Sequence, residues 1–342
     1  MTDIKSLTLA ELQAQMEKIG EKKFRASQIY SWLHEKLAGS FDEMSNLPKS
    51  LRERLRAEYE LTSLELLEVQ TSKLDGTAKF LFRLFDGNVI ESVLMRYRYG
   101  NSVCVSSQAG CRMGCRFCAS TLNGLARNLR PSEILDQVYQ IQKWSKERVH
   151  SVVVMGSGEP LDNYEALLRF IEILTAEGGL HISQRNVTVS TCGIVPMMRR
   201  LADEELQITL ALSLHAPSQE KRLQLMPIAK RYALPEVLDA CRYYFEKTGR
   251  RVTFEYSLAS GMNDAPEDAR ALASLLDGMN CHINLIPVNP VAERGLFGPE
   301  RGKVLNFKEI LEKSGKHVTI RREMGRDIDG ACGQLRRRYL EK

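Results

Sequence analysis

The reading of this chain turns on the stretch Cys111-Arg112-Met113-Gly114-Cys115-Arg116-Phe117-Cys118. It crowds three thiols onto one predicted loop, just after residues 101–106, whose apolar, β-branched character predicts a strand. Thiolates so spaced can converge on one metal centre. A structural zinc site normally closes with a fourth Cys or His at short spacing, and none follows Cys118. Three ligands instead suit a cubane iron–sulfur cluster, with one iron left open to a small molecule. A zinc site completed from a distance, or three structural cysteines, are the competing readings.

Downstream of this loop, helical segments alternate with brief β-rich runs at 151–155, 186–191, 207–214, 251–256 and 282–286. That alternation predicts parallel βα units. With 101–106 it makes six strands, an α/β fold of the partial (βα)6 barrel kind, in contrast to the eight of a closed barrel. Upstream, 64–106 reads as short strands, with 79–85 meeting 88–94 across Asp86-Gly87 as a hairpin. Before that, Leu9, Leu12, Met16 and Ile19 recur at helical spacing, and further helices are expected over 24–37, stopping near Gly39, and over 49–59 after Pro48. The organisation expected is a helical domain over 1–62, a β-hairpin extension over 63–98 and a barrel core over 99–342.

Composition narrows the class without naming a function. Lys and Arg number 48 against 43 Asp and Glu, a net charge of +5 that permits a polyanionic partner without requiring one. The first residues lack the apolar core of a signal peptide, and no run approaches a membrane span. A cytoplasmic protein is expected. Eight cysteines, three of them clustered, do not resemble an extracellular disulfide framework.

A second segment agrees with the first. Met155-Gly156-Ser157-Gly158-Glu159-Pro160 follows a predicted strand, where ligand-binding loops of βα barrels lie. Its glycines allow close backbone approach to a ligand, although such a segment alone is only a turn. Ser190, Ser213, Leu214, His215 and Asn289 also end predicted strands and offer groups for a ribose, carboxylate or adenine. Each read singly is as well explained as a loop cap. Cys332, in Gly330-Ala331-Cys332-Gly333-Gln334, has small neighbours that suit an exposed, mobile thiol, and Cys104 sits on the first predicted barrel strand; a buried small hydrophobe is the other reading of each. Cys192, Cys241 and Cys281 are read as buried small hydrophobes.

The CxxxCxxC spacing with an aromatic before the last Cys resembles the signature of the radical S-adenosylmethionine superfamily. Cys104-Val105-Ser106-Ser107-Gln108, Asn128-Leu129-Arg130, Ser213-Leu214-His215-Ala216-Pro217 and Asp327-Ile328-Asp329-Gly330-Ala331-Cys332-Gly333-Gln334-Leu335 narrow this to a resemblance to the RlmN/Cfr family of RNA methyltransferases. Ser157 and Val288 stand where many members carry Met and Trp. The resemblance implies a [4Fe-4S] cluster on Cys111, Cys115 and Cys118, and S-adenosylmethionine held by Gly158, Glu159, Ser190, Ser213, Leu214, His215 and Asn289. It further implies methylation of C2 of adenine-2503 in 23S rRNA and of adenine-37 in tRNA by a monomer fed by a flavodoxin- or ferredoxin-like electron donor. The relative that attacks C8 of the same rRNA adenine is the alternative, as is a non-catalytic metal-stabilised RNA-binding protein.

Adenine C2 lies between two ring nitrogens and is electrophilic, so it cannot attack a methyl sulfonium as a nucleophile does. In the family, one cofactor molecule methylates the thiolate matching Cys332 and a second supplies a 5′-deoxyadenosyl radical. In the family that radical abstracts a hydrogen atom from the S-methyl group, and the resulting carbon radical adds to C2. The thiol matching Cys104 releases the product by forming a disulfide with Cys332. The family places a base at Glu91, which alternates with Val89 and Val93 on its strand, where burial would raise its pKa. An ion pair with Arg96, or solvation at a sheet edge, is the other reading. Arg127, Arg130, Arg321, Arg322, Arg326 and Arg336 to Arg338 offer basic groups to RNA, though a solvated face accounts for each alone. The target base must leave its stack, so loop or single-stranded RNA is the expected form.

Overall fold

The computed structural model describes residues 1–289, 295–328 and 334–340. Three helices open the chain: α1 (Leu9–Lys18), α2 (Lys23–His34) and α3 (Lys49–Glu58). A reciprocal cap starts α1, the Glu11 N–H donating to Thr8 Oγ1 at 3.2 Å and the Thr8 N–H to Glu11 Oε2 at 2.9 Å. Helix α2 ends before the predicted stop at Gly39, and Leu37 takes the positive φ of 58° there. Tyr59 leaves α3 because its backbone pairs with Thr2, joining β1 (Thr2–Asp3) to β2 (Tyr59–Glu60).

The centre is one ten-stranded sheet. Its parallel part comprises β6 (Gly100–Cys104), β9 (Val149–Val154), β10 (Val187–Thr191), β11 (Thr209–Ser213), β12 (Val252–Leu258) and β13 (Cys281–Pro287), the six strands expected from sequence. A seventh, β14 (Val318–Ile320), adds to β13 in parallel. Helices α4 (Pro131–Ser145), α5 (Tyr164–Thr175), α6 (Val195–Asp203), α7 (Gln219–Leu225), α8 (Leu234–Thr248), α9 (Pro266–Leu275) and α10 (Arg301–Lys313) form the crossovers. Pro131 suits the first turn of α4, and Gly249, at φ 66°, stops α8.

On the other side of β6 the sheet continues antiparallel through β5 (Val89–Tyr97), β4 (Ala78–Arg83) and β3 (Glu65–Thr71). The expected hairpin is present, with Gly87 at φ 84° in its turn. It supplies the inner two strands, β5 and β4, of a three-strand arm that extends the barrel sheet. One buried cluster runs from Leu12, Ile29 and Leu33 of the helical region through Ile134 and Val138 of α4 to Val189, Leu210 and Ile283 of the sheet. Among the described residues, no helix is long and apolar enough to cross a membrane.

Candidate active site

Between β7 (Gln108–Gly110) and β8 (Leu125–Asn128) the chain makes the loop that carries Cys111, Cys115 and Cys118. The two strands pair antiparallel and pinch the base of the loop. Gly110 is required in this ribbon, since a Cβ there would fall 2.1 Å from the Gly124 carbonyl. The loop also leans on the end of α7, where Arg116 N–H donates to Leu225 O at 2.9 Å. Phe117, the aromatic of the motif, meets His215 edge to face with ring centroids 4.4 Å apart.

All three thiols line one pocket at the C-terminal ends of the parallel strands, together with Gly158, Glu159, Ser190, Ser213, His215 and Asn289. This is where βα folds bind ligands. Leu214 differs: it is fully buried in the core beside the pocket and does not line it, and its N–H donates to Glu255 O at 3.1 Å. Gly158 has φ 109°, and a Cβ on it would stand 2.6 Å from Gln108 Cβ and 2.7 Å from Ser107 Oγ. Its close approach is thus to the cysteine-loop ribbon of the protein itself. Gln108 Oε1 accepts the Glu159 N–H at 2.8 Å, tying that ribbon to the loop after β9.

The electrostatics of the pocket are those of buried anions. Burial pushes the Cys111 thiol up to about 12, and the negative charge of Cys118 adds to it. Cys115 is raised as well, by burial and then by its two sister thiolates. Burial raises Glu159 too, opposed by its hydrogen bonds from the N–H of Cys192 at 2.7 Å and of Leu161 at 3.1 Å. His215 is held down to about 3 by burial and by Arg222, so its ring is neutral. Its Nδ1 accepts the Ser257 N–H at 2.8 Å, which leaves the proton on Nε2.

Such a donor set fits an iron–sulfur cluster. Three mutually repelling thiolates on one buried loop need a cationic centre to be ionised together. Among the described residues no three potential ligands surround a single metal ion.

Cys104 ends β6 directly opposite Val93 of β5, in an apolar group with Met95 and against Met155, which lines the pocket. Glu91, two residues before Val93, therefore points to the same face of the sheet. It is buried, and its partner is Lys79 Nζ at 3.1 Å; Arg96 pairs with Glu147. The Arg336 N–H also donates to Glu91 Oε1. Cys332 lies outside the described residues, but both flanks of its segment are held by the antiparallel arm. On one side Asp327 accepts from Ser72 Oγ at 2.5 Å and from the Lys73 N–H at 2.8 Å, and Gly325 N–H donates to Asp75 at 3.0 Å. On the other side, in α11 (Gln334–Leu340), Leu335 packs on Leu81 and Val89, and Arg336 Nε donates to Val89 O at 2.8 Å.

The chain belongs to the RlmN family of dual-specificity RNA methyltransferases. It is 64% identical over 341 residues to the "Probable dual-specificity RNA methyltransferase RlmN" of Lachnospira eligens, covering 100% of this chain and 97% of the relative. Its identity to the protein of that name from Clostridium botulinum strain Alaska E43 is 54%, covering 100% and 98%. The Radical SAM superfamily matches residues 105–273, and the "Ribosomal RNA large subunit methyltransferase N-terminal domain" matches residues 2–61. A solved radical SAM methyltransferase from Sphaerobacter thermophilus superposes with a TM-score of 0.93 at 43% identity, covering 98% of this chain and 99% of that one. RlmN membership and the radical SAM fold thus agree with the sequence expectation.

Several pocket residues of this RlmN relative were not found from sequence. Cys192 lines the pocket beside Glu159, though its spacing reads as core. Glu255, the one charged residue in the strand Val-Thr-Phe-Glu-Tyr-Ser-Leu, lines it too and accepts from Asn284 Nδ2 at 2.8 Å. A lone carboxylate in such a strand was the available signal. Of the arginines considered for RNA, Arg127 pairs with Asp86 and Glu133, Arg130 with Glu60 and Arg338 with Glu68.

Proposed function

We propose that this radical S-adenosylmethionine RNA methyltransferase modifies C2 of adenine, at position 2503 of 23S rRNA and position 37 of tRNA, in the cytoplasm. The observation that carries the reading is the juxtaposition of two sites. The Cys111, Cys115 and Cys118 pocket adjoins, through Met155, the apolar face that holds Cys104. The three thiolates would hold a [4Fe-4S] cluster, which with bound S-adenosylmethionine supplies a 5′-deoxyadenosyl radical.

The remaining work falls to the chain. Glu159, Ser213, the Nε2–H of His215, and Asn289 offer polar groups to orient the cofactor, and Phe117 shields the loop from water. Cys332 would accept and carry the methyl group. Glu91 would take the proton from C2 through a carboxylate oxygen. Cys104, as a thiolate, would attack the Cys332 sulfur; the bond from that sulfur to the transferred carbon would break, the carbon would take up a proton as the methyl group of the released base, and a disulfide would remain for an external reductant to reset. The helical region over 1–62 is assigned to RNA contact, the hairpin region over 63–98 to linking, and 99–342 to the catalytic core.

The test is product analysis. Anaerobically reconstituted protein, reduced and given methyl-labelled S-adenosylmethionine with rRNA or tRNA, should yield labelled 2-methyladenosine after digestion and mass spectrometry. A product of 8-methyladenosine would overturn the position assigned. Purified protein without iron or the broad visible absorption of a cluster would overturn the enzyme reading.

A further inference from the structure

Arg222 is wholly buried on α7 and is the largest fully buried side chain described. Its Nη2 donates to Cys192 O at 2.7 Å, while Nε and Nη1 have no hydrogen-bond partner among the described residues. Gly193 lets the guanidinium in, for a Cβ there would be 3.2 Å from Nη2. One turn on, Leu225 and Met226 pack against Cys115 and Cys192, and Leu225 O accepts from the residue after Cys115. A buried guanidinium with two unmet donors is costly unless something anionic offsets it. Burial pulls the Arg222 guanidinium below its usual range, and the thiols of Cys192, Cys115 and Cys241 oppose that shift.

We propose that Arg222 is the buried countercharge of the thiolate-bound cluster, a positioning residue that raises the potential at which the cluster accepts its electron. This rests on the reading that Cys111, Cys115 and Cys118 hold an iron–sulfur cluster. Each electron added makes such a centre more negative, so a nearby fixed cation favours the reduced form, and net charge and hydrogen bonding at sulfur set its potential.

The experiment is an EPR-monitored redox titration of anaerobically reconstituted full-length protein, with iron and sulfide assayed on each sample. Arg222→Met and Arg222→Gln should hold iron as the parent does and be reduced only at more negative potential, whereas Arg222→Lys should stay near the parent value. Neutral variants with full iron and an unchanged potential would overturn the proposal. Should the neutral variants lose the cluster or the fold, Arg222→Lys decides: a parent-like potential supports the assignment, and a negative shift at full iron content refutes a role for charge. A parent protein that takes up no iron would instead remove the cluster reading itself.

Discussion

Lys79 on β4 and Glu91 on β5 form an ion pair of 3.1 Å inside the antiparallel arm, the ammonium fully buried and the carboxylate nearly so. Breaking a buried pair from one side strands the other charge, at a cost of about 3–5 kcal/mol. Lys79→Met should therefore lower stability by about that amount, read as a shift in denaturant midpoint. The double variant Lys79→Met/Glu91→Gln should recover much of the loss. A double variant no better than the single one would mean that the pair is not coupled.

Gly158 and Gly302 give opposite expectations for the same change. At Gly158 an added methyl meets Gln108 and Ser107 at positive φ, so Gly158→Ala should cost about 1–3 kcal/mol. The disturbed Gln108–Glu159 contact should also weaken S-adenosylmethionine binding about tenfold by calorimetry, roughly 1.4 kcal/mol. Gly302, on α10, has open space around it, so Gly302→Ala should stabilise by about 0.5–1 kcal/mol.

Buried neutral histidines make the fold acid-sensitive. His34 Nδ1 meets the Tyr139 hydroxyl at 2.9 Å, and burial, then Lys5, pulls its pKa from 6.5 to about 3. Below pH 6.5 the unfolded chain binds a proton that the folded chain refuses, so stability falls with pH by about 1.4 kcal/mol per unit per such histidine until the folded value is reached. The loss at pH 5 is thus about 2 kcal/mol from His34 alone. His34→Gln should lessen the dependence of melting temperature on pH between about 6.5 and 5, the other buried histidine, His215, supplying part of what remains.

Cys104→Ala tests product release. The side chain lost is small, so the fold should change by about 1 kcal/mol. With the RNA tether formed but no thiol to resolve it, a nuclease-sensitive protein–RNA adduct should persist on a denaturing gel. Cys332→Ala should give neither adduct nor methylated RNA. An active Cys332→Ala protein would contradict the proposed route.

The sequence made the parallel strands legible because runs such as Ser-Val-Val-Val and Val-Thr-Val-Ser leave little choice of conformation. Strand β14 escaped notice because three residues carry no periodicity. The cysteine loop was visible because its ligands are local in sequence. By contrast, the partner of Glu91 is set by strand register, which places Lys79 beside it and sends Arg96 to Glu147. Nothing local distinguishes Cys192 from core, whereas Glu255 carries one local signal, a carboxylate in an otherwise uncharged strand.

The anchoring of residues 325–327 and 335–336 carries a consequence for how the two halves of the chemistry are divided. Both flanks of the Cys332 segment are moored to β3, β4, β5 and their turns, while the parallel strands cradle the cluster loop. On the proposed chemistry, the parallel sheet is the generator, able to serve many radical reactions, and the antiparallel arm is the address label that determines which atom receives the methyl group. An exchange of the arm between relatives should move the site of modification and leave radical formation intact.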